Sequence, residues 1–324
     1  MNHAQSPLLI TGADGFIGRA LVRAAAGQRR LRLGVRNPWP EVGQEQAVMD
    51  LSDPASVRAA VDGVDCVVHL AGLAHDRAPA RALAMLHDTV NRQGSVDLAR
   101  AAVAAGARRF VLMSTAKVFG ETSAPGRPFH ADTPVNPVGS YARSKWAAER
   151  EVREIAAAGS MELVVLRPPL VYGPGVGANM ARMMRWVRRG VPLPLGKVNN
   201  LRSLVALDNL VSLLLRSVDH PGAPGPPLLP TDGQDLSTPE LIRLIAAAMG
   251  RRPWLLPVPV PLLRIAAGTA GRSADIQRLC GNLQLDSDDT RRRLGWVPPL
   301  PMDAAIRRMV EDCRFGPRAQ TGMS

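Results

Sequence analysis

The chain has 324 residues, of which 46% are hydrophobic and 21% charged, a composition that supports a large folded core and excludes a disordered chain. The net charge is +12 at pH 7, but the arginines that supply it are scattered along the chain, which argues against a nucleic-acid-binding protein. Without an uninterrupted apolar run of about 20 residues or a visible export signal, we expect a cytoplasmic protein with no membrane span.

The three cysteines, Cys66, Cys280 and Cys313, lie far apart and have neither the spacing of a disulfide framework nor that of a zinc site. They fit a reducing compartment. We therefore expect no metal site.

Short apolar runs alternate with helical patterns through the first half of the chain. Buried strands are predicted at residues 8–12, 31–35, 66–71, 109–114 and 162–168. Helices are predicted at residues 16–26, 56–62, 86–105 and 141–158. Continuous Val- and Leu-rich strands separated by helices indicate a parallel sheet covered on both faces. The predicted fold class is therefore α/β, a doubly wound parallel sheet of the Rossmann type.

The composition changes after Arg167, where several prolines and glycines indicate loops that leave the sheet. Residues 203–218 predict a strand and a helix that return to it, and Ser237 and Glu240 have the spacing of a capping box. We predict three parts: a dinucleotide-binding domain of residues 1–167 joined by 202–218, a smaller α/β substrate domain of 168–201 and 219–316, and a disordered tail, 317–324.

The segment TGADGFIG places Gly12, Gly15 and Gly18 between the first strand and the first helix. Glycines permit a tight turn and the close approach of a pyrophosphate, whose charge the N–H groups and dipole of the helix stabilise. Glycine-rich turns also serve packing, but the position of this one at the first strand-to-helix turn predicts dinucleotide binding.

The end of the second strand distinguishes between two cofactors. An acidic residue there would bind the ribose hydroxyls of NAD, whereas Arg36 can pair with the 2′-phosphate of NADP. The sequence favours NADP(H), and NAD(H) stays open if Arg36 is simply exposed. Asp50 follows where an acceptor for the adenine edge would lie, with a role in helix capping through Ser52 and Asp53 as the alternative.

Tyr141 and Lys145 are four residues apart and so share one face of a helix. A tyrosine beside an ammonium and a nicotinamide cation would have a lowered pKa and could exchange a proton with a sugar hydroxyl or carbonyl. The chain has only 2 tyrosines and three lysines, so this spacing is hard to attribute to chance. Ser114 and Thr115 end the fourth strand, where a hydroxyl could bind the reacting oxygen or simply be strand-end polarity.

In combination, these features resemble the extended short-chain dehydrogenase/reductase family, in its NAD(P)-dependent sugar epimerase/dehydratase branch. The resemblance spans nearly the whole chain and rests on TGADGFIG, Asp50 with Leu51, HLAG (69–72), Asn91 in VNRQG, STAKVFGE (114–121), the Tyr141 and Lys145 pair, and RPPLVYGPG (167–175). Within that branch, KVFGE, LPLGKVNNLRSLV and LQLDSDDTRRRLGWVPP are most similar to enzymes acting at C4 of UDP-linked N-acetylhexoses. These include 4-keto-reductases that form UDP-N-acetylquinovosamine for surface polysaccharides, and relatives of UDP-glucose 4-epimerase.

The resemblance implies residue roles. Tyr141 would be the acid/base, Lys145 would lower its pKa and hold the nicotinamide ribose, and Thr115 would contact the C4 oxygen. The implied cofactor site consists of Gly12, Gly15, Phe16, Ile17, Gly18, Arg36, Asp50, Leu51, Leu70, Ala71, Gly72, Asn91, Ser114, Tyr141, Lys145 and Pro168. The implied UDP-sugar site consists of Thr115, Lys117, Asn179, Arg202 and Arg278. Family members usually form homodimers through the helix with the Tyr and Lys pair and its neighbour.

Two departures from the family pattern bear on the reaction. Arg36 stands where epimerases commonly have an aspartate, which argues against tightly held NAD. Ala116 and Lys117 stand where dehydratases usually have an aspartate and a glutamate, which argues against a 4,6-dehydratase. We therefore predict an NADPH-dependent 4-keto-reductase, with a 4-epimerase that keeps bound NAD as the alternative. A non-catalytic NAD(P)-binding protein is a distant third, since such proteins typically lack the tyrosine and lysine.

Overall fold

The computed structural model describes residues 6–74, 79–269 and 273–315. Six strands form one parallel sheet: β1 (Leu8–Thr11), β2 (Leu31–Val35), β3 (Glu45–Val48), β4 (Cys66–His69), β5 (Arg109–Met113) and β6 (Glu162–Leu166). Their order is β3-β2-β1-β4-β5-β6, so the sheet grows in opposite directions from β1 and β4. Ligands of open parallel sheets bind at this point, beyond the carboxyl ends of the strands. The predicted fold class is confirmed.

Helices cover both faces of this sheet. They are α1 (Phe16–Ala25), α2 (Pro54–Val61), α3 (Ala80–Leu86), α4 (Gly94–Ala104) and α5 (Gly139–Ala158), with a π-helical segment, His87–Gln93, joining α3 to α4. Successive side chains of β1 point to opposite faces: Leu8 and Ile10 pack with α1, whereas Leu9 packs with α2, α4 and α5. In place of the single helix predicted at 86–105, the structure has a continuous helical stretch that begins earlier, at Ala80, includes the π-helical segment and ends at Ala104.

Beyond β6 the chain forms β7 (Leu170–Tyr172), α6 (Ala178–Arg189), β8 (Leu204–Ala206) and α7 (Leu207–Asp219). The strands β7 and β8 form a second, two-stranded parallel sheet. Leu210, Leu213 and Leu214 of α7 pack into the same apolar cluster as α1, so this helix lies against the main sheet, whereas β8 pairs with β7 and does not join that sheet.

The last helices are α8 (Thr238–Ala248), α9 (Val260–Thr269), α10 (Ser273–Cys280), α11 (Asp288–Leu294) and α12 (Met302–Phe315). Met184 of α6, Ile242 of α8 and Met309 of α12 are buried in one cluster, hereafter the C-terminal cluster. The predicted capping box is present: Ser237 accepts from the N–H of Glu240, whose carboxylate accepts from the N–H of Ser237.

The domain boundaries and the homodimer stay predictions, and the predicted tail, 317–324, lies outside the described residues. Among the described helices, none has both the length and the apolar character that crossing a membrane requires. The strand β3 was not predicted, because its residues EQAV form the edge of the sheet and contain no apolar run.

Candidate active site

The turn between β1 and α1 packs closely on neighbouring backbone because it is built from glycines. Gly12 has a φ of +66°, and a Cβ added to it would lie 2.8 Å from the backbone nitrogen of Ala71. A Cβ on Gly18 would overlap the carbonyl oxygen of Gly12. Gly15 has no side chain to cap the first N–H groups of α1, and the first turn holds no acidic residue. The first turn of α1, which begins with Phe16 and Ile17, therefore has N–H groups without a side-chain cap, as an anion site at a helix N-terminus requires.

A chain of buried hydrogen bonds connects this turn to the helix that follows β4. Ser95 Oγ donates to the carbonyl oxygen of Asn91 at 2.5 Å, so it accepts from His69 Nε2 at 2.9 Å. With its proton on Nε2, His69 accepts at Nδ1 from the Thr11 hydroxyl at 2.7 Å, and Thr11 accepts from the N–H of Ala71. Burial lowers the pKa of His69 to about 3, so the ring stays neutral and this pattern holds at neutral pH.

Asn91 lies in the π-helical segment and fixes the loop after β4. Its Oδ1 accepts from the N–H of Leu73 at 2.7 Å, and its Nδ2 donates to the carbonyl oxygen of Leu73 at 2.9 Å. Nδ2 also reaches Ser144 Oγ at 3.2 Å, and Ser144 donates to the carbonyl oxygen of Tyr141 at 2.9 Å. Asn91 thereby ties Leu73, in the loop after β4, to Ser144 near the start of α5.

Tyr141, Thr115 and Lys145 are brought together at the carboxyl end of β5. The Thr115 side chain lies close enough to Tyr141 to lower the pKa of the phenol. Lys145, one turn further along α5, is buried and donates from Nζ to the carbonyl oxygen of Met113 at 3.0 Å. A Cβ on Gly72 would lie 3.1 Å from Lys145 Nζ, which puts the ammonium beside the loop that follows β4.

Burial is the main cause of the shifted pKa values of Tyr141 and Lys145. It raises the pKa of Tyr141 to about 12, although the side chain of Thr115 acts in the opposite direction. It lowers the pKa of Lys145 to about 8, which the negative charge of Glu149 partly opposes. The lowered pKa expected for Tyr141 beside a nicotinamide cation stays a prediction: in the protein alone the loss of hydration dominates, and Lys145 Nζ donates to a backbone carbonyl. In this state Tyr141 is a protonated donor.

An ion pair beneath these residues was not predicted from the sequence. Glu149 and Arg167 are 0% and 4% exposed at their side chains, and their closest contact is 2.6 Å. Ser114 donates its hydroxyl to Glu149, and the Arg167 guanidinium lies 4.7 Å from the centroid of Phe119. The pair joins α5 to the ends of β5 and β6. The spacing of Glu149, four residues after Lys145, is a signal that could have revealed its place on the same helix face.

The residues predicted to select the cofactor lie at the ends of β2 and β3. Arg36 is exposed. The hydrogen bonds from Ser52 are the main cause that lowers the pKa of Asp50, and the charge of Arg36 adds to this effect. Asp50 Oδ1 accepts from both the N–H and the hydroxyl of Ser52, whereas Asp53 caps α2. The residue that caps α2 is therefore Asp53, whereas Asp50 stabilises the turn before it through Ser52. Leu51 packs closely on the start of α4, where a Cβ on Gly94 would lie 2.7 Å from it.

The predicted substrate residues lie on several segments. Lys117 Nζ bonds Glu121 at 3.3 Å, and the charge of Glu121 also acts on Arg202. Arg202 Nη1 donates to the carbonyl oxygens of Arg278 and Gly281, each at 3.0 Å, which brings the segment of α10 next to it. Burial lowers the pKa of Arg202, so an anion would be favoured beside it.

Three further residues that were predicted to bind the substrate or the cofactor, Asn179, Arg278 and Pro168, lie on separate segments. Asn179, exposed at the start of α6, accepts at Oδ1 from Arg182 at 2.7 Å. Arg278 is exposed on α10. Pro168 follows β6 and accepts at its carbonyl oxygen from the N–H of Ala116 at 2.9 Å, next to Thr115.

Comparisons with known proteins show the family and the fold of the chain. Residues 8–227 match the model of the NAD dependent epimerase/dehydratase family. A UDP-glucose 4-epimerase of Vibrio cholerae is 36% identical over 310 residues, which cover 94% of each chain. A GDP-6-deoxy-D-mannose reductase of Pseudomonas aeruginosa is 27% identical, over 94% of this chain and 96% of that protein. A solved UDP-glucose 4-epimerase of Thermotoga maritima has the same fold, with a TM-score of 0.78 at 20% identity, covering 95% of this chain and 98% of that one.

Proposed function

We propose, because the chain belongs to the NAD dependent epimerase/dehydratase family, that this enzyme is a nucleotide-sugar oxidoreductase acting at C4 of a UDP-linked N-acetylhexose. Its reaction would be the NADPH-dependent reduction of a 4-ketone. The observation that carries the proposal is the placement of Tyr141, Thr115 and the buried Lys145 at the carboxyl edge of the sheet, which also holds the glycine turn and the start of α1 without a side-chain cap.

In this mechanism each side chain has one task. When bound at the glycine turn, the nicotinamide cofactor supplies the hydride for C4. Tyr141, protonated at neutral pH, donates its proton to the C4 oxygen, and Thr115 holds that oxygen by a second hydrogen bond. Lys145 would bind the nicotinamide ribose and, as a cation beside the phenol, stabilise the phenolate left behind. Arg202, with Lys117, Asn179 and Arg278, would bind the diphosphate and so position the sugar.

The choice of NADPH rests on Arg36. A charge-assisted contact with the 2′-phosphate is worth about 1.5–3 kcal/mol, or roughly a ten- to hundredfold preference for NADPH over NADH. Arg36→Asp should reverse the preference, because it removes the cation and adds a like charge. Arg58→Asp, at an exposed position of α2, is the matched control and should leave the ratio unchanged. Equal affinities in the unmutated protein would show that Arg36 is simply exposed.

A 4-epimerase is the second candidate, favoured by the 36% identity to the Vibrio cholerae enzyme over 94% of both chains. An epimerase removes the hydride from C4 and returns it to the other face, so it keeps one molecule of cofactor throughout. A reductase consumes NADPH at every turnover.

The deciding experiment compares the two reactions in the same preparation. A UDP-4-keto-6-deoxy-N-acetylhexosamine with NADPH should be reduced at C4, as followed by loss of NADPH absorbance. UDP-N-acetylglucosamine without added cofactor should remain unchanged by NMR. Rapid appearance of the galacto epimer in the second sample, with no reduction in the first and stoichiometric bound NAD, would replace the reductase by the epimerase.

A further inference from the structure

His87 is a buried histidine that contacts the start of α5 and has no part in the reaction proposed above. It is the first residue of the π-helical segment and is 3% exposed. The centroid of its ring lies 5.7 Å from that of the Tyr141 ring, and the two ring planes meet at 64°. This edge-to-face arrangement is a favourable contact that adds to the area the rings bury. The side chain assigned as proton donor is therefore packed against a histidine.

His87 also shares a hydrogen bond with the residue before Tyr141. The distance from His87 Nδ1 to Ser140 Oγ is 2.8 Å. The residue that precedes α5 is Val138, whose apolar side chain cannot cap the first turn, and the ends of helices fray where caps are lacking. Because Tyr141 is the third residue of α5, the hydrogen bond from His87 holds the turn that carries the phenol.

The π-helical segment makes a second contact with α5 one turn further on. Asn91, four residues after His87, bonds Ser144 at 3.2 Å, and Ser144 donates to the carbonyl oxygen of Tyr141. The segment thus contacts Ser140 before Tyr141 and Ser144 after it. Short π-helical stretches are rare and are found frequently at functional sites. The two contacts give this segment the geometry of a support for the proton donor.

We propose that His87 is a positioning residue for the proton donor. It fixes the ring of Tyr141 by the edge contact and the turn beneath it by the hydrogen bond to Ser140, and no proton passes through it. The inference rests on the proposed proton transfer by Tyr141, and it holds for the reductase and the epimerase alike, since both move a proton at the C4 oxygen. A displacement of about 1 Å in a reacting group costs roughly a hundredfold in rate, so a donor on a loose turn would lose turnover.

The test measures kcat and KM of His87→Leu, which removes both contacts, in the unmutated enzyme and in Tyr141→Phe. In the unmutated enzyme we expect kcat to fall about ten- to hundredfold, with KM and cofactor affinity little changed, because the binding groups are untouched. In Tyr141→Phe the proton donor is already lost, so His87→Leu should cause no further loss. A merely structural role would lower kcat to a similar extent in both backgrounds.

Two further variants separate the contacts. His87→Phe keeps a ring against Tyr141 but loses the hydrogen bond at Nδ1, which Ser140→Ala removes from the other side. Each should lower kcat only about two- to tenfold, and the two together no more than either alone, since they remove the same hydrogen bond. The matched control is Asp88→Asn, which weakens an exposed ion pair with Arg92 in the same segment and should leave kcat unchanged.

The urea midpoint of each variant shows that it is folded. The proposal is overturned if His87→Leu keeps the kcat of the unmutated enzyme, if its effect is equally large in Tyr141→Phe, if only KM changes, or if Asp88→Asn loses as much. Should His87→Leu fail to fold, an unchanged kcat in both His87→Phe and Ser140→Ala overturns the proposal instead. Undiminished turnover of Tyr141→Phe refutes the proposed proton donor and the role of His87 together, whereas a loss in Tyr141→Phe with none in His87→Leu refutes the positioning role alone.

Discussion

Removing one partner of the buried ion pair of Glu149 and Arg167 should destabilise the fold far more than removing one partner of a partly exposed pair on the same helix. Glu149→Gln keeps the size of the side chain but replaces one acceptor oxygen by an amide donor. In the protein, Arg167 Nε lies 3.1 Å from both carboxylate oxygens and Nη2 lies 2.6 Å from Oε2, while the Ser114 hydroxyl also donates to the carboxylate. After the substitution, a guanidinium that is 4% exposed has no counter-charge in this pair.

The magnitude follows from burial. Removing one partner of a buried ion pair costs about 3–5 kcal/mol, because the other charge is left in a medium that solvates it poorly. The guanidinium keeps its contacts with the rings of Phe119 and Trp146, at 4.7 and 5.6 Å, so we expect the lower end, about 3 kcal/mol. Glu151 offers the control: it pairs with Arg92 at 3.3 Å, with 29% and 27% of the side chains exposed. Losing such a pair costs about 0–1 kcal/mol.

The assay is urea unfolding of the wild type, Glu149→Gln and Glu151→Gln without cofactor, with the free energy of unfolding extrapolated to water. Glu149→Gln has a second readout, because the carboxylate raises the pKa of Lys145, which should fall below about 8 without it. The pH at which activity changes with the protonation of Lys145 should shift downward. Equal losses of free energy in the two variants would show that Arg167 tolerates the loss of its counter-charge despite its burial.

Three further outcomes are expected. Tyr141→Phe should lower kcat by ~10²–10⁴, because only the proton donor is lost, and should leave cofactor affinity unchanged by fluorescence titration; a loss below about tenfold would assign proton transfer to another group. Gly12→Ala should abolish cofactor binding. The control is Gly27→Ala: Gly27 also has a positive φ, but nothing lies within 4 Å of the added Cβ, so only the free energy of unfolding should fall, by about 1–2 kcal/mol. Equal cofactor affinities of the two variants would contradict a cofactor site at Gly12. Burial lowers the pKa of Lys145 from 10.5 to about 8, so the unfolded chain binds more protons between these values and stability should rise with pH there, by about 3 kcal/mol. Lys145→Met should lack this rise in urea titrations across that range, and an unchanged slope would assign the rise to other groups.

Much of the site could be predicted from the sequence because its signals are local. Gly12, Gly15 and Gly18 lie within seven residues, so the turn they form depends on backbone freedom at neighbouring positions. Tyr141 and Lys145 share a face of α5 by helix geometry alone. The parallel sheet was predictable because strands covered on both faces are continuously apolar, and β3 was missed because an edge strand need not be.

The contacts that hold the site together were decided by the tertiary structure. Thr11 and His69 are 58 residues apart, and Asn91 and Ser144 are 53 apart, yet both pairs share buried hydrogen bonds. Glu149 and Arg167 each look like surface charges in the sequence, and only the crossing of α5 over the ends of β5 and β6 buries them as a pair. Sequence patterns report burial and period along one element, whereas the partner of a buried polar group depends on which elements meet. For the same reason the sequence does not show that burial raises the pKa of Tyr141 in the protein alone: folding removes water from the phenol, and no spacing in the sequence records that loss.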